Sequence, residues 1–205
     1  MSRRVVIASA ARTPVGSFNG TLSNVPAPSL GAVAITEAMM RATVEPERVE
    51  QVIMGCVLTA GVGQAPARQA ALGAGLPTSV CTTTVGKVCG SGLKAVTLAA
   101  DTITAGHADI IVAGGMENMS LAPHLLEKSR SGYKMGKIEL ADSMIKDGLW
   151  DVYNQFHMGN AAELCARKYQ ISRQDQDRYA EMSYRRALKA QKEGYFEEEI
   201  VPVSV

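Results

Sequence analysis

The sequence predicts an α/β domain on a largely parallel sheet, and three observations carry that prediction. Short β-branched runs alternate with stretches of helical period through the first half, each run is flanked by Gly or a turn, and 46% of the residues are hydrophobic, enough for a real core. The β-branched runs fall at residues 5–9, 52–58, 79–85 and 110–113. Between them, residues 29–40 place Leu30, Val33, Ala34 and Glu37 to Met40 at helical spacing after Pro28 and Ser29. Residues 65–73 are Ala-rich and read as helix. Residues 92–105 set Leu93, Val96, Ala100 and Ile103 on one stripe that stops at Gly106. The character then changes: residues 116–148 hold no clean period and mix Met, Gly and charge, as lids, binding loops and assembly arms do. Helix is expected again over residues 159–169. A second helix opens at Ser172, with Asp175 completing a capping box, and closes at Gly194. The last residues, from Glu197 to Val205, read as the start of a strand.

Length and charge bound the function. The 205 residues make one large domain, or one domain with a sizeable insertion, long enough for a core without disulfides. A net charge of +1 leaves no electrostatic footprint for nucleic acid or an anionic membrane. The apolar content is too high and the charge too low for disorder. The apolar stretch after Arg3 and Arg4 is too short for a signal-peptide core, and no stretch spans a bilayer. Cys56, Cys81, Cys89 and Cys165 show no C-x-x-C pairing, and His107, His124 and His157 stand remote from them, so neither a disulfide scaffold nor a zinc site is expected. A reducing, cytoplasmic setting fits four free thiols. The Gly61-Val62-Gly63 and Gly73-Ala74-Gly75 stretches lack the strand, helix and acidic residue of a dinucleotide site.

Chemistry concentrates in Thr82-Thr83-Thr84-Val85-Gly86-Lys87-Val88-Cys89-Gly90-Ser91-Gly92-Leu93-Lys94-Ala95. A strand runs into a Gly-containing turn and then a helix, with Cys89 at the junction. Unpaired N–H groups and the positive end of the helix dipole favour an anionic sulfur there. Gly90 and Gly92 leave room for an acyl group and are able to aim N–H groups at an oxyanion. The plainer reading makes Cys89 one more small buried hydrophobe, as Cys56, Cys81 and Cys165 are expected to be.

Val88-Cys89-Gly90-Ser91-Gly92-Leu93-Lys94-Ala95, followed by Val112-Ala113-Gly114-Gly115-Met116-Glu117-Asn118-Met119-Ser120, resembles the thiolase family in its acetyl-CoA acetyltransferase branch. Ala11-Arg12-Thr13-Pro14-Val15-Gly16-Ser17-Phe18 resembles it too, as do Gly61-Val62-Gly63-Gln64-Ala65-Pro66-Ala67-Arg68-Gln69-Ala70 and the blocks Asp147-Gly148-Leu149 and His157-Met158-Gly159, all in family order. The resemblance implies a thiolase-like fold, N-terminal half, with layered βαβ units and an inserted loop domain: residues 1–118 as the core with the nucleophile, 119–205 as the loop domain. It implies that Cys89 takes the acyl group from one CoA thioester, and that a second acetyl-CoA then attacks to give acetoacetyl-CoA, thiolysis being the reverse. No covalently bound cofactor is implied; the coenzyme A thioester is substrate. Leu149, His157 and Met158 match the family's pantetheine channel, and Tyr184 matches a tyrosine near CoA and a potassium ion. Residues 121–138 resemble the arm through which short-chain members form tetramers. Without the family, His157 between Phe156 and Met158 reads as a core histidine, and the basic residues from Lys128 to Lys137 read as a solvated face or as neutralising a CoA phosphate.

Two departures stand out. Gly86 occupies a place where the family commonly has Asn, an exchange expected to loosen the turn at Cys89. The family's Gly-His-Pro histidine and second cysteine motif are not among the 205 residues. The chain is therefore expected to be the N-terminal part of the enzyme, inactive alone and completed by the C-terminal half of the fold. A longer-chain 3-ketoacyl-CoA thiolase and a non-catalytic half-thiolase subunit are the alternatives.

Overall fold

A computed structural model describes residues 4–205. Contacts divide the chain into two compact units, one running through Gly148 and including Val201–Val205, the other Leu149–Ile200.

The first unit is the α/β domain that the alternation predicts. Three parallel strands, β1 (Gln51–Gly55), β2 (Cys81–Val85) and β3 (Ile111–Gly115), lie in the order β2-β1-β3. Their ends are level: Gly55 pairs with both Val85 and Gly115. Helices α1 (Ala27–Ala42), α2 (Pro66–Gly73) and α3 (Ser91–Thr104) complete the layers. Strand alternation assigns the faces. Val52 and Met54 of β1 join a cluster with Ile35 and Met39 of α1 and Ala67, Ala70 and Ala71 of α2. Ile53, between them, points the other way and packs with Ala95 and Ala99 of α3. One helix pair thus covers one face and α3 the other, as crossovers from parallel strands require.

Two expected strands do not form. Residues 5–9 pair with no strand among the described residues, and Val6 and Ile7 are 66% and 79% exposed. The stretch is tied to α1 instead, by the Ser9 hydroxyl donating to the Ala38 carbonyl at 2.6 Å. A β-branched run makes a strand only when a neighbour takes up its backbone groups. The C-terminal residues likewise form no ladder; the Val201 N–H donates to the Arg12 carbonyl at 2.9 Å.

The excursion after β3 begins with a two-residue antiparallel pair, β4 (His124–Leu125) with β5 (Ala141–Asp142). Its neck is fixed by Ser143, fully buried, whose hydroxyl donates to the Pro123 carbonyl at 2.6 Å. Residues 126–140 beyond that neck are all exposed, Met135 at 97%.

In the second unit β6 (Trp150–Asp151) pairs antiparallel with β7 (Phe156–His157), which leads into α4 (Met158–Lys168) and α5 (Arg173–Lys192). The capping box forms as expected: the Ser172 hydroxyl accepts from the Asp175 N–H at 3.1 Å. Gly194 then takes φ +71° after the helix. No residue of α4 or α5 is buried. A helix polar all round relies on its own pairs, here Arg173–Asp177 at 2.9 Å and Arg185–Glu181 at 2.6 Å.

Candidate functional site

The carboxyl ends of β1, β2 and β3 lie side by side, where open parallel sheets bind ligands. β2 leaves at Val85, Gly86 to Gly90 make the turn, and α3 starts at Ser91. Cys89 stands directly before Gly90, the N-cap, and its side chain is exposed. The reading as a buried hydrophobe is therefore excluded for Cys89. It is also wrong for Cys81 and Cys165, both exposed: Cys81 opens an edge strand, and α4 buries nothing. Cys56 is buried as expected.

The turn is tight. The Gly90 N–H donates to the Lys87 carbonyl at 3.1 Å, and the Ser91 N–H donates to the Val88 carbonyl at 3.0 Å. Between them Val88 is forced to φ +46°. A β-branched residue there is a true outlier, costing on the order of 1–3 kcal/mol. The Ser91 hydroxyl, on a residue only 3% exposed, accepts from the Lys87 N–H at 2.7 Å and donates to the Val88 carbonyl at 2.6 Å.

Glycines seat this turn on the sheet. A Cβ on Gly55 would fall 2.6 Å from the Gly92 nitrogen, and one on Gly115 would fall 3.2 Å from the Gly92 Cα. The small residues around Cys89 thus let helix and strand backbones touch. A Cβ on Gly86 would meet nothing within 4 Å. The turn at Cys89 closes with glycine at that position.

The Met116-Glu117-Asn118 stretch after β3 ties the neighbouring loops. Glu117 accepts from the Val57 N–H at 2.7 Å and the Leu58 N–H at 3.3 Å, holding the chain as it leaves β1. The Cys56 thiol donates to the same carboxylate at 3.8 Å. Burial, with the Glu117 charge beside it, pushes the Cys56 thiol up to about 11. Asn118 reaches the Leu22, Ser23 and Val25 carbonyls at 3.1, 3.1 and 2.7 Å through its amide nitrogen, and accepts from the Ser120 N–H at 3.0 Å. Sequence reasoning assigned Ser91, Glu117 and Asn118 no task. Their signal is position: polar residues directly after a nucleophile turn, or at a parallel strand's carboxyl end.

Of the expected binding residues, His157 lies on β7 opposite Trp150 of β6, Met158 follows it as the first residue of α4, and Leu149 directly precedes β6. His157 is neither a core histidine nor free: it is the N-cap of α4, its Nδ1 accepting from the Gly159 N–H at 3.0 Å. That bond leaves Nε2 as the available ring nitrogen. Met158 is 41% exposed. Tyr184 is apart from these, 75% exposed on α5. No group of three or more His, Cys, Asp or Glu residues converges as a metal site among the described residues, and no helix there is long and apolar enough to cross a membrane.

Residues 5–205 match the family described as thiolase, N-terminal domain. The chain is 62% identical over 201 residues to an acetyl-CoA acetyltransferase of Cupriavidus necator, covering 98% of this chain and 51% of that protein. It is 56% identical over 203 residues to acetyl-CoA acetyltransferase 2 of Arabidopsis thaliana, covering 99% and 50%. To the cytosolic acetyl-CoA acetyltransferase of Rattus norvegicus it is 57% identical over 201 residues, covering 98% and 50%. The chain thus spans about half the length of the curated relatives it matches.

Proposed function

The chain belongs to the thiolase family, and on that premise we propose that it supplies the acyl-accepting thiol of an acetyl-CoA acetyltransferase. The observation that carries this reading is an exposed Cys89 held at the N-terminus of α3 by a strained turn. The sulfur of Cys89 attacks the thioester carbonyl of acetyl-CoA, the carbon–sulfur bond to CoA breaks, and the acetyl group stays on Cys89 while CoA leaves as its thiol. A second acetyl-CoA, deprotonated at its α-carbon, takes the acetyl group and gives acetoacetyl-CoA; CoA attacking acetoacetyl-CoA runs the path in reverse. The resemblance places the residues that move these protons in motifs absent from the 205 residues, so the overall reaction belongs to a protein with the C-terminal half of the fold.

Leu149, His157 and Met158 are the proposed contacts to the pantetheine arm. They flank or belong to the β6–β7 pair in the chain, and two of the three are apolar, suited to a thin flexible chain. Tyr184 is proposed as a further residue near CoA, where its exposed phenol oxygen would be one of the several oxygens that a potassium ion needs. Residues 119–205 are proposed as the loop domain, and the arm at 121–138, exposed from 126 onward, as the contact of a homotetramer. A cytoplasmic location is proposed on the relatives named cytosolic.

The complete protein is to be assayed for thiolysis of acetoacetyl-CoA with and without Cys89→Ala. Turnover that the variant abolishes supports the reading. Undiminished turnover in the variant refutes it. Turnover of long-chain 3-ketoacyl-CoA in preference to acetoacetyl-CoA selects the longer-chain thiolase instead.

A further inference from the structure

We infer that Ser91 is a positioning residue for Cys89: its buried hydroxyl latches the strained turn that presents the thiol. The inference rests on the reading of Cys89 as the acyl-carrying residue.

Four observations combine. Val88 sits at φ +46°, a conformation that a valine leaves unless held. Its side chain is 52% exposed, so packing does not hold it there. Backbone bonds close the turn on either side, from Gly90 to Lys87 and from Ser91 to Val88, and neither fixes the Lys87 N–H. The Ser91 hydroxyl does. It takes the Lys87 N–H at 2.7 Å and gives its own proton to the Val88 carbonyl at 2.6 Å, so the peptide group before Lys87 and the one after Val88 end on one oxygen. That oxygen is itself immobile, because Ser91 is 3% exposed and its Cβ would lie 2.7 Å from a Cβ on Gly55 at the end of β1. Sheet, serine and turn form one rigid line, and Cys89 is the residue next along it.

Removing the hydroxyl takes away the partner of the Lys87 N–H and leaves the Val88 carbonyl only the Ser91 N–H, while the strain remains. The turn then relaxes, and the thiol leaves its place just before the N-cap of α3.

The test uses the complete protein and the rate at which iodoacetamide alkylates each cysteine, resolved by peptide mass spectrometry. Cys81 and Cys165 are exposed and act as internal controls; Cys56 is buried and reports the fold. In Ser91→Ala the Cys89 rate is expected to fall about tenfold against Cys81 and Cys165, with Cys56 still protected, as loss of the hydroxyl's two hydrogen bonds implies. A fall of less than about twofold with Cys56 protected overturns the inference. If Ser91→Ala exposes Cys56, the comparison moves to Ser91→Ala with Val88→Gly against Val88→Gly alone, because glycine removes the strain and keeps the fold. With the strain gone the latch has nothing to hold, so Cys89 rates within about twofold of each other, with Cys56 protected in both, support it there. A further loss of about tenfold in Cys89 rate, or exposure of Cys56 in the double variant as well, overturns it. Acetyl-CoA plays no part in this measurement, so failure of the acyl-transfer reading is seen separately, as missing acetylation of Cys89.

Discussion

Gly55, at the end of β1, touches the backbone of Gly92, in the first turn of the helix that follows Cys89: a Cβ on Gly55 would lie 2.6 Å from the Gly92 nitrogen and 2.6 Å from the Ser91 carbonyl carbon. Sheet and helix meet here without side chains between them. The position of the nucleophile is therefore set by backbone against backbone, which cannot yield as a flexible side chain does.

Gly55→Ala is accordingly expected to destabilise the protein by about 2–3 kcal/mol, since overpacking against backbone forces the helix away from the strand. Urea denaturation measures the cost. An alanine tolerated with no change in midpoint contradicts the packing described.

Gly86 is the opposite case. It has open space around it and no left-handed φ. Gly86→Ala is expected to stabilise by about 0.4–1 kcal/mol, through a smaller set of unfolded conformations. Gly86→Asn is expected to fold equally well. Both are read from the same denaturation curves, and a loss of stability in either shows that glycine is required in the turn.

Cys56 gives a pH dependence with a definite sign. Its thiol is raised from 9.0 to about 11 in the folded protein, so between those values the folded state keeps a proton that the unfolded state has lost. The Cys56 contribution is constant well below pH 9, and stability falls through it as pH rises toward 11, by up to about tenfold in the folding equilibrium per pH unit. Denaturation of the parent protein and Cys56→Ala at pH 8 and pH 10.5 isolates this residue. The parent is expected to lose more stability than the variant over that interval, and equal losses contradict it.

Asn118 separates donor from space. Asn118→Asp keeps the shape but turns a carboxylate oxygen toward the Leu22, Ser23 and Val25 carbonyls, where the amide now donates. It is expected to cost more than Asn118→Ala, which loses about 1–3 kcal/mol by leaving polar groups unpaired. Hydrogen exchange over residues 20–26 locates the effect, and an aspartate variant more stable than the alanine one rules out the donor role.

The architecture was legible wherever a pattern repeats. Alternating β-branched runs and helical stripes placed β1, β2, β3 and the three helices beside them, because each buries its own apolar stripe against the next. Residues 5–9 misled for the same reason: the residue types are right, but a strand also needs a partner, and sequence pattern does not supply one. Cys89 was legible because a strand, a glycine turn and a helix start leave a mark in consecutive residues. Ser91 and Glu117 were not, since their work is done on groups brought near by folding. His157 was legible as a site residue but not as the cap of α4, because its Nδ1 bond to Gly159 depends on where that helix begins.

The central claim is that Cys89 carries an acetyl group. Mixing the complete protein with acetyl-CoA, quenching in acid and mapping the peptides by mass spectrometry tests it most directly. One acetyl group on Cys89, absent in Cys89→Ala, is the expected result; acetylation of another residue while Cys89 stays unmodified would contradict the account.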